Sequence, residues 1–323
     1  MPGIFDVIII GAGPIGIACG IEAARRKLNY LILEKGCIVN SIFHYPTNMT
    51  FFSTSEKIEI GGIPFVSHGT KPTRREALEY YRRVVQSYKL NIHQFEKVHL
   101  AEKDSSGFKI MTQKHSYACR YLILSTGYYD NPNLLGIPGE SLPKVKHYFD
   151  EAHPYAGMKT AVIGAGNSAV DVALELYRVG AEVTMVIKED SIKPTVKYWV
   201  KPDIDNRIEE GSIRAYFNSE ILEIRQNDIL VKTAKGNIDI RNDLVFAMTG
   251  YHPDINFFQE TGVKIIEKKK AFFKRLTHET NVKGLYIAGV ACSGSDTDKY
   301  FIENSIIHAE RILKDIEMKI NKR

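Results

Sequence analysis

Apolar runs and glycine-rich breaks alternate near the start of the chain in a way typical of strands joined to helices by tight turns. Phe5–Ile10 form an almost continuous apolar run, which predicts a buried strand, and the glycine-rich residues 11–16 (GAGPIG) follow at once. Small and apolar residues then recur at helical spacing, and Tyr30–Leu33 form a second apolar run. The pattern predicts a strand, a tight turn, a helix and a second strand.

The same pattern occurs again later in the chain. Lys159–Ile163 predict a strand, residues 164–169 (GAGNSA) predict a tight turn, and residues 183–187 predict the next strand after a helix. Each copy continues through short alternating segments into an apolar strand that ends in Thr-Gly-Tyr, at residues 126–128 and 249–251. The chain therefore contains two copies of one α/β unit.

The two copies differ in length. Gly11 and Gly164 are 153 residues apart, whereas Gly127 and Gly250 are 123 apart, so the first copy holds 30 more residues. The excess falls after the second strand, where residues 42–65 are rich in aromatic and turn-forming residues. Because loops on a rigid scaffold commonly carry function, we expect this insert to line the reactive end of a cofactor.

The two glycine turns predict two nucleotide sites. A glycine turn that opens a helix presents free backbone N–H groups and the positive end of the helix dipole to a pyrophosphate. Glu34 ends the second strand of the first copy, 23 residues after Gly11, where a carboxylate accepts hydrogen bonds from a ribose. In the second copy Lys188 follows the strand, with Lys193 and Lys197 soon after. Cations there favour NADPH over NADH, because only NADPH carries a 2′-phosphate.

Composition fits a two-domain globular protein. The 323 residues are 44% hydrophobic and 25% charged, with a net charge of +5. The basic residues are dispersed, so we expect no nucleic-acid partner. The apolar stretch 7–21 is broken by glycine and proline, so we expect no membrane segment and no signal peptide, and a cytoplasmic protein. The four cysteines lack metal-ligand or disulfide-framework spacing, and no metal is predicted.

Several short and unusual sequence motifs resemble those of one protein family. The two glycine turns with GLYIAG at 284–289 resemble the two-dinucleotide-fold flavoproteins of the thioredoxin-reductase type. More closely, the chain resembles the YpdA-type bacillithiol-disulfide reductase family from its first strand to its last helix; the strings that carry this resemblance are YPT at 45–47, TFFS at 50–53, TGYY at 126–129, GYHPD at 250–254 and FIEN at 301–304. A thioredoxin-reductase mechanism is not expected, because no cysteine lies between Cys119 and Cys292.

The resemblance implies an α/β fold with two Rossmann-like dinucleotide-binding domains, the second inserted in the first. Residues 1–128 and 251–323 would form the FAD domain, and 129–250 the NAD(P)H domain. The implied cofactor-binding residues are Gly11, Gly13, Pro14, Ile15, Gly16, Glu34, Lys35, Asn48, Val98, Thr126, Gly127, Gly289 and Val290 toward FAD, with Gly164, Gly166, Asn167, Ser168, Ala169, Lys188 and Gly250 toward NADPH.

The implied activity is an NADPH-dependent, FAD-containing oxidoreductase. It would pass hydride equivalents from NADPH through FAD to a low-molecular-weight disulfide of the bacillithiol type or to another acceptor, such as a small redox protein. Alternatives left open are a cysteine-free ferredoxin- or flavodoxin-NADP reductase, a flavin monooxygenase, and a redox sensor without turnover. No catalytic residue is assigned, and we expect a homo-oligomer that does not act at membranes.

Two positions depart from expected patterns. The family typically has a cysteine beside the flavin at the fifth position of the first turn, where this chain has Ile15. Any thiol chemistry would then pass to Cys292, which follows Gly289, or to Cys19, which we expect to be a packed core residue. The superfamily's Gly-Asp is Gly289-Val290 here, a departure shared with the family, with Asp296 or Asp298 as possible substitutes.

Overall fold

A computed structural model describes residues 3–297 and 299–322. The strands of these residues are β1 Phe5–Ile10, β2 Tyr30–Leu33, β3 Ile92–His93, β4 Val98–Lys103, β5 Phe108–Thr112, β6 Ser116–Leu124, β7 Val145–Lys146, β8 Lys159–Ile163, β9 Glu182–Val186, β10 Arg214–Tyr216, β11 Glu220–Ile224, β12 Asp228–Thr233, β13 Gly236–Arg241, β14 Leu244–Ala247, β15 Ile265–Ile266, β16 Lys270–Ala271 and β17 Leu285–Ile287. The α-helices are α1 Pro14–Arg25, α2 Asn40–Phe43, α3 Arg74–Tyr88, α4 Asn167–Arg178, α5 Lys201–Glu209, α6 Ile255–Glu260 and α7 Ile302–Asn321.

The chain divides into two compact units. The first unit comprises Met1–Asn131 and Tyr251–Arg323, and the second comprises Pro132–Gly250. The second unit is thus a continuous segment set into the first, in agreement with the predicted fold class.

The sheet of the first unit has the order β3-β2-β1-β6-β5-β4, with β17 pairing β6. β1, β2, β3, β6 and β17 run parallel, whereas β4 and β5 form an antiparallel extension. The apolar run of β1 follows from burial on both faces, because Val7 and Ile9 join the core beneath α1, α3 and α7, and Ile8 and Ile10 join the core on the opposite side.

The sheet of the second unit has the parallel order β10-β9-β8-β14-β7, and β11-β12-β13 form a separate antiparallel sheet. β8 is also buried on both faces, since Val162 packs toward α4 and α5 while Ala161 and Ile163 pack toward the antiparallel sheet. The two central strands β1 and β8 therefore hold equivalent places in the two units, as the internal duplication predicts.

The insert of the first copy, residues 42–65, contains the end of α2 and a short 3₁₀ turn, Glu56–Ile58, and α3 follows it. Phe51, Ile58, Ile60 and Phe65 are buried in the core beneath α3. Phe65 stacks on Tyr80 of α3 with ring centroids 4.2 Å apart. Many of the insert's aromatic side chains therefore pack in the core. That the insert also lines a cofactor stays a prediction.

Among the described residues, no helix combines the length and the apolar character that crossing a membrane requires.

Candidate functional site

The first glycine turn (residues 11–16) joins β1 to α1 and leaves one side open. Gly11 has φ of +105°, and a Cβ there would lie 2.6 Å from the Ser125 carbonyl oxygen. A Cβ on Gly16 would lie 1.9 Å from the Gly11 carbonyl oxygen, so the helix can begin this close to the strand only with glycine. A Cβ on Gly13 would meet nothing within 4 Å, which leaves room for a phosphate at the start of α1.

Glu34 follows β2 directly and is 5% exposed. Its Oε2 accepts a hydrogen bond of 2.7 Å from the Ala12 N–H, and its Oε1 accepts one of 2.9 Å from the Gly36 N–H. Burial raises the pKa of Glu34, and the hydrogen bonds from Gly36 and Ala12 oppose that rise. The predicted ribose acceptor is therefore held rigidly against the first glycine turn.

Parallel strands bring further predicted residues to the same edge of the sheet. Gly127 follows β6 and Gly289 follows β17, next to the turn after β1. A Cβ on Gly289 would lie 3.2 Å from the Ile15 side chain, and one on Gly127 would lie 3.9 Å from Val290. Ile15, Gly127, Gly289 and Val290 thus form one group, and the nearby Thr126 Oγ1 is buried with no hydrogen-bond partner among the described residues.

The other residues predicted toward FAD are Lys35, Val98, Asn48 and Pro14. Lys35 pairs with Asp130 at 2.7 Å, and Val98 is buried at the start of β4. Asn48 lies in an exposed turn after α2. Pro14 occupies the first position of α1, where its missing N–H costs the helix nothing.

The second glycine turn (residues 164–169) repeats this geometry. Gly164 has φ of +123°, and a Cβ there would lie 2.6 Å from the Met248 carbonyl oxygen and 3.4 Å from the Ala169 Cβ. A Cβ on Gly166 would again meet nothing within 4 Å. Asn167 and Ser168 open α4. Gly250 follows β14, and its carbonyl accepts a 2.9 Å hydrogen bond from the Asn133 N–H.

Strand register shows which residue of the second unit corresponds to Glu34. Ile10 pairs with Leu33 in the first unit, and Ile163 pairs with Val186 in the second. The residue after Val186 is the fully buried Ile187, so Lys188 corresponds to Lys35. The position that holds a carboxylate in the first unit is therefore apolar in the second.

The three lysines predicted near the nicotinamide nucleotide all have carboxylate partners. Lys188 lies 3.4 Å from Glu220, and Lys193 lies 3.1 Å from Glu189. Lys197 is buried and pairs with Asp171 of α4 at 2.7 Å. Lys188 and Lys193 remain exposed, whereas Lys197 is part of the packed structure.

The two candidate thiols are buried. Burial raises the pKa of both Cys19 and Cys292, and the Cys292 thiol donates to the Ile287 carbonyl at 3.6 Å. Burial also raises the pKa of Cys119, to about 12. Because the thiolate is the reactive form, these environments favour structural cysteines. Ile15 lies beside Gly289, so an apolar side chain occupies the place that the family resemblance gives to a cysteine.

Cys292 lies next to two buried histidines that the sequence did not single out as a group. The potential ligand atoms of His278, Cys292 and His308 lie within 4.8 Å of one another. The Gly289 N–H donates a hydrogen bond to His308 Nδ1 at 3.1 Å, so the proton of the neutral ring lies on Nε2. A histidine that binds a metal through Nε2 instead carries its proton on Nδ1. The contact favours a packing role in which His308 orients the Gly289 turn.

A cluster of tyrosines also escaped sequence reasoning. Tyr129 lies between Tyr45 and Tyr251, with ring centroids 4.8 and 4.7 Å away, and Tyr128 is parallel to Tyr251. Burial raises the pKa of Tyr128 to about 12. The Thr-Gly-Tyr sequences after β6 and β14 could have indicated this cluster, because they place a tyrosine shortly after each of two equivalent strands.

Other candidates have structural partners. Asp296 pairs with Lys268 at 3.4 Å and also with Lys270, and Asp298 lies outside the described residues.

The residues present fit two nucleotide cofactors. Each unit offers a glycine turn with an open middle position at the start of a helix, and the first adds a buried carboxylate and an unpartnered threonine hydroxyl. Fold and turns together define a protein with two dinucleotide-binding folds.

Comparison with known proteins agrees with this class. The family model of the pyridine nucleotide-disulphide oxidoreductases matches residues 8–289, and the chain belongs to this family. It is 44% identical over 317 residues to the bacilliredoxin reductase Bdr of Bacillus subtilis, covering 97% of this chain and 98% of that protein.

Two solved structures are similar over nearly the whole chain. The bacillithiol disulfide reductase Bdr (YpdA) of Bacillus cereus has a TM-score of 0.96 at 41% identity, over 98% of this chain and 100% of that one. The corresponding protein of Staphylococcus aureus has a TM-score of 0.95 at 40% identity, over 98% of both chains. The predicted resemblance is confirmed, and the chain is a flavoprotein oxidoreductase that uses a flavin and a nicotinamide cofactor. The similarities favour a disulfide reductase over a ferredoxin reductase or a monooxygenase.

Proposed function

We propose that this protein uses NADPH and FAD to reduce a low-molecular-weight disulfide of the bacillithiol type. The observation that carries the proposal is 44% identity across 97% of the chain to a bacilliredoxin reductase, together with the close similarity to two bacillithiol disulfide reductases. The enzyme would act as a homo-oligomer in the cytoplasm.

The first glycine turn and Glu34 support binding of FAD to the first unit. The N–H groups at the start of α1 would hold the pyrophosphate, and the fixed Glu34 carboxylate would accept hydrogen bonds from the ribose. Thr126 and the Gly289-Val290 turn lie at the same sheet edge, where they would face the flavin ring.

The second unit supports NADPH over NADH. Buried Ile187 offers no carboxylate to a ribose 2′-hydroxyl and no negative charge to repel a 2′-phosphate. The exposed Lys188 and Lys193 supply cations nearby.

When bound, the two cofactors would supply the hydride and two-electron chemistry that reduction of a disulfide needs. The protein's own residues bind and orient both cofactors. With Ile15 beside Gly289 and the Cys19 and Cys292 thiols buried, neither thiol is placed to form a mixed disulfide with the substrate.

Anaerobic reduction followed by acceptor trials tests the proposal. NADPH should bleach the flavin faster than NADH does, and bacillithiol disulfide should restore its colour while releasing two thiols for each NADPH consumed. Reoxidation by ferredoxin but not by the disulfide would contradict the substrate. Accumulation of a C4a-hydroperoxyflavin with oxygen would indicate a monooxygenase instead.

A further inference from the structure

A short segment of the second unit, residues 193–197, lies against the second glycine turn and is fixed there by several hydrogen bonds. The Lys193 N–H donates to the Ala165 carbonyl at 3.1 Å. Asn167 Nδ2 donates to the Thr195 carbonyl at 3.1 Å, and Asn167 Oδ1 accepts from the Lys197 N–H at 2.9 Å. We call residues 193–197 the nucleotide loop.

Lys197 is attached to α4 through both its backbone and its side chain. It is 8% exposed, and its Nζ donates to Asp171 Oδ2 at 2.7 Å. Its carbonyl accepts 2.9 Å hydrogen bonds from the N–H groups of Val200 and Lys201, which leads the chain into α5. Lys197 therefore connects the nucleotide loop, α4 and the start of α5.

The first unit shows which of these contacts belong to the shared scaffold. There the Val39 N–H donates to the Ala12 carbonyl at 3.0 Å, as Lys193 does to Ala165. In the first turn, however, Pro14 and Ala18 stand at the positions of Asn167 and Asp171. The contacts of Lys197 with Asn167 and Asp171, which we call the clasp, are thus an addition particular to the second nucleotide site.

Lys197 is buried and Asp171 is half-buried, so the ion pair contributes little to stability alone, because the lost hydration of Lys197 offsets much of the attraction between the charges. The Lys197 ammonium lies near the positive amino end of α4, and the repulsion costs further free energy. Asp171 offsets this cost, and a bound anion would remove it. An ammonium has three N–H donors, and among the described residues only Asp171 accepts from this one. Both points favour a role in preparing the second glycine turn for a nucleotide.

We propose that Lys197 is a positioning residue of the NADPH site, an inference that rests on the proposed function. Through the clasp it holds the nucleotide loop beside the open position at Gly166, so that Lys193 and the amino end of α4 are in place before the nucleotide binds. The role concerns binding of NADPH and leaves the rate of flavin reduction at saturation unchanged.

The test compares Lys197→Met with Lys197→Arg and with Lys201→Met in the holoenzyme. Lys201 pairs with Asp205 at 2.6 Å on the exposed face of α5 and serves as the matched control. Without the clasp the nucleotide loop is held less firmly in both the ground and the transition state, so KM for NADPH should rise by about tenfold in Lys197→Met, with kcat within about twofold. Lys197→Arg should retain much of the affinity, and Lys201→Met should match the wild type.

Trp199 gives an independent readout, because it is the only tryptophan of the chain and lies two residues after Lys197. Acrylamide should quench its fluorescence more in Lys197→Met than in the wild type. A KM for NADPH that stays at the wild-type value would overturn the proposal, whether or not quenching rises.

A double variant separates positioning from stability. Lys197→Met combined with Asp171→Leu removes both charges of the pair, so thermal stability should recover while KM for NADPH stays high. Recovery of KM together with stability would show a structural role only and overturn the proposal. Failure of NADPH to reduce the wild-type flavin would refute the proposed function, whereas wild-type reduction with an unaffected Lys197→Met variant refutes only the clasp.

Discussion

At the scale of single residues, equivalent positions of the two units carry opposite chemistry. Glu34 and Ile187 both follow the second strand of their unit, yet one is a buried carboxylate and the other a buried aliphatic side chain. Pro14 and Asn167 likewise open equivalent helices, and only Asn167 can hydrogen-bond a neighbouring loop. We expect differences of this kind to fit each turn to its proposed nucleotide.

Glu34→Ala should weaken flavin binding. Its carboxylate is the predicted ribose acceptor and also accepts from the backbone of the first glycine turn. Hydrogen bonds to a charged group are worth roughly 1.5–3 kcal/mol, so the dissociation constant should rise by about tenfold to a hundredfold. Fluorescence titration of the apoprotein with FAD measures this, with Glu34→Gln as a control that keeps an acceptor. Undiminished flavin affinity in Glu34→Ala would show that FAD lies elsewhere.

Cys292→Ser and Cys19→Ser should each keep most NADPH-dependent flavin reduction and disulfide turnover. Both thiols are buried and burial raises the pKa of each, so neither readily forms the thiolate that thiol chemistry needs. Two-electron reduction should produce no long-wavelength charge-transfer band. If Cys292→Ser lost disulfide turnover while hydride transfer from NADPH stayed intact, a cysteine-based mechanism would be restored.

At the scale of elements, α3 fixes the insert that distinguishes the first copy. Tyr80 OH accepts from the Ile60 N–H at 2.8 Å and donates to the Ile63 carbonyl at 2.8 Å, and Tyr81 OH donates to the Ile58 carbonyl at 3.0 Å. These buried phenols satisfy backbone groups that the irregular insert leaves unpaired. The helix itself begins with a capping box between Thr73 and Glu76.

Thr73→Ala should lower the free energy of unfolding by about 1 kcal/mol, because the first turn of α3 loses its side-chain cap. Urea denaturation followed by circular dichroism measures the change. Thr73→Ser retains the hydroxyl and should stay near the wild type. An equal loss in both variants would mean that the methyl group, and not the cap, matters.

At the scale of the whole molecule, buried titratable groups make stability depend on pH. Burial, and then the charge of Arg311, lowers the pKa of His278 to about 4, while burial and His278 lower that of His308 to about 3. Burial opposes ionisation of Glu96 and Glu279, but hydrogen bonds from Thr112 to the first and from Lys274 to the second hold both pKa values at about 2.

Stability should therefore fall steadily in acid. The unfolded chain binds protons that the folded histidines do not, so the histidine contribution is complete above their ordinary pKa of 6.5 and is lost as the pH falls toward 4 and 3. The carboxylate contribution is lost at lower pH, from 4.5 toward 2. His278→Phe should reduce the dependence below about pH 6 by at most about 1.4 kcal/mol per pH unit, measured by urea unfolding at several pH values. An unchanged slope would contradict the role given to His278.

The sequence alone determined the duplication, both glycine turns, the carboxylate at Glu34 and the family, because these are local patterns or strings of neighbouring residues. Tertiary structure decided which residue of the second unit corresponds to Glu34, since strand register depends on pairing between segments far apart in the chain. It also showed that Lys197 is paired with Asp171, that Ile15 lies against Gly289, and that Cys292 is buried beside two histidines. Charge and burial at these positions depend on partners brought close only by folding, and spacing along the sequence carries no record of them.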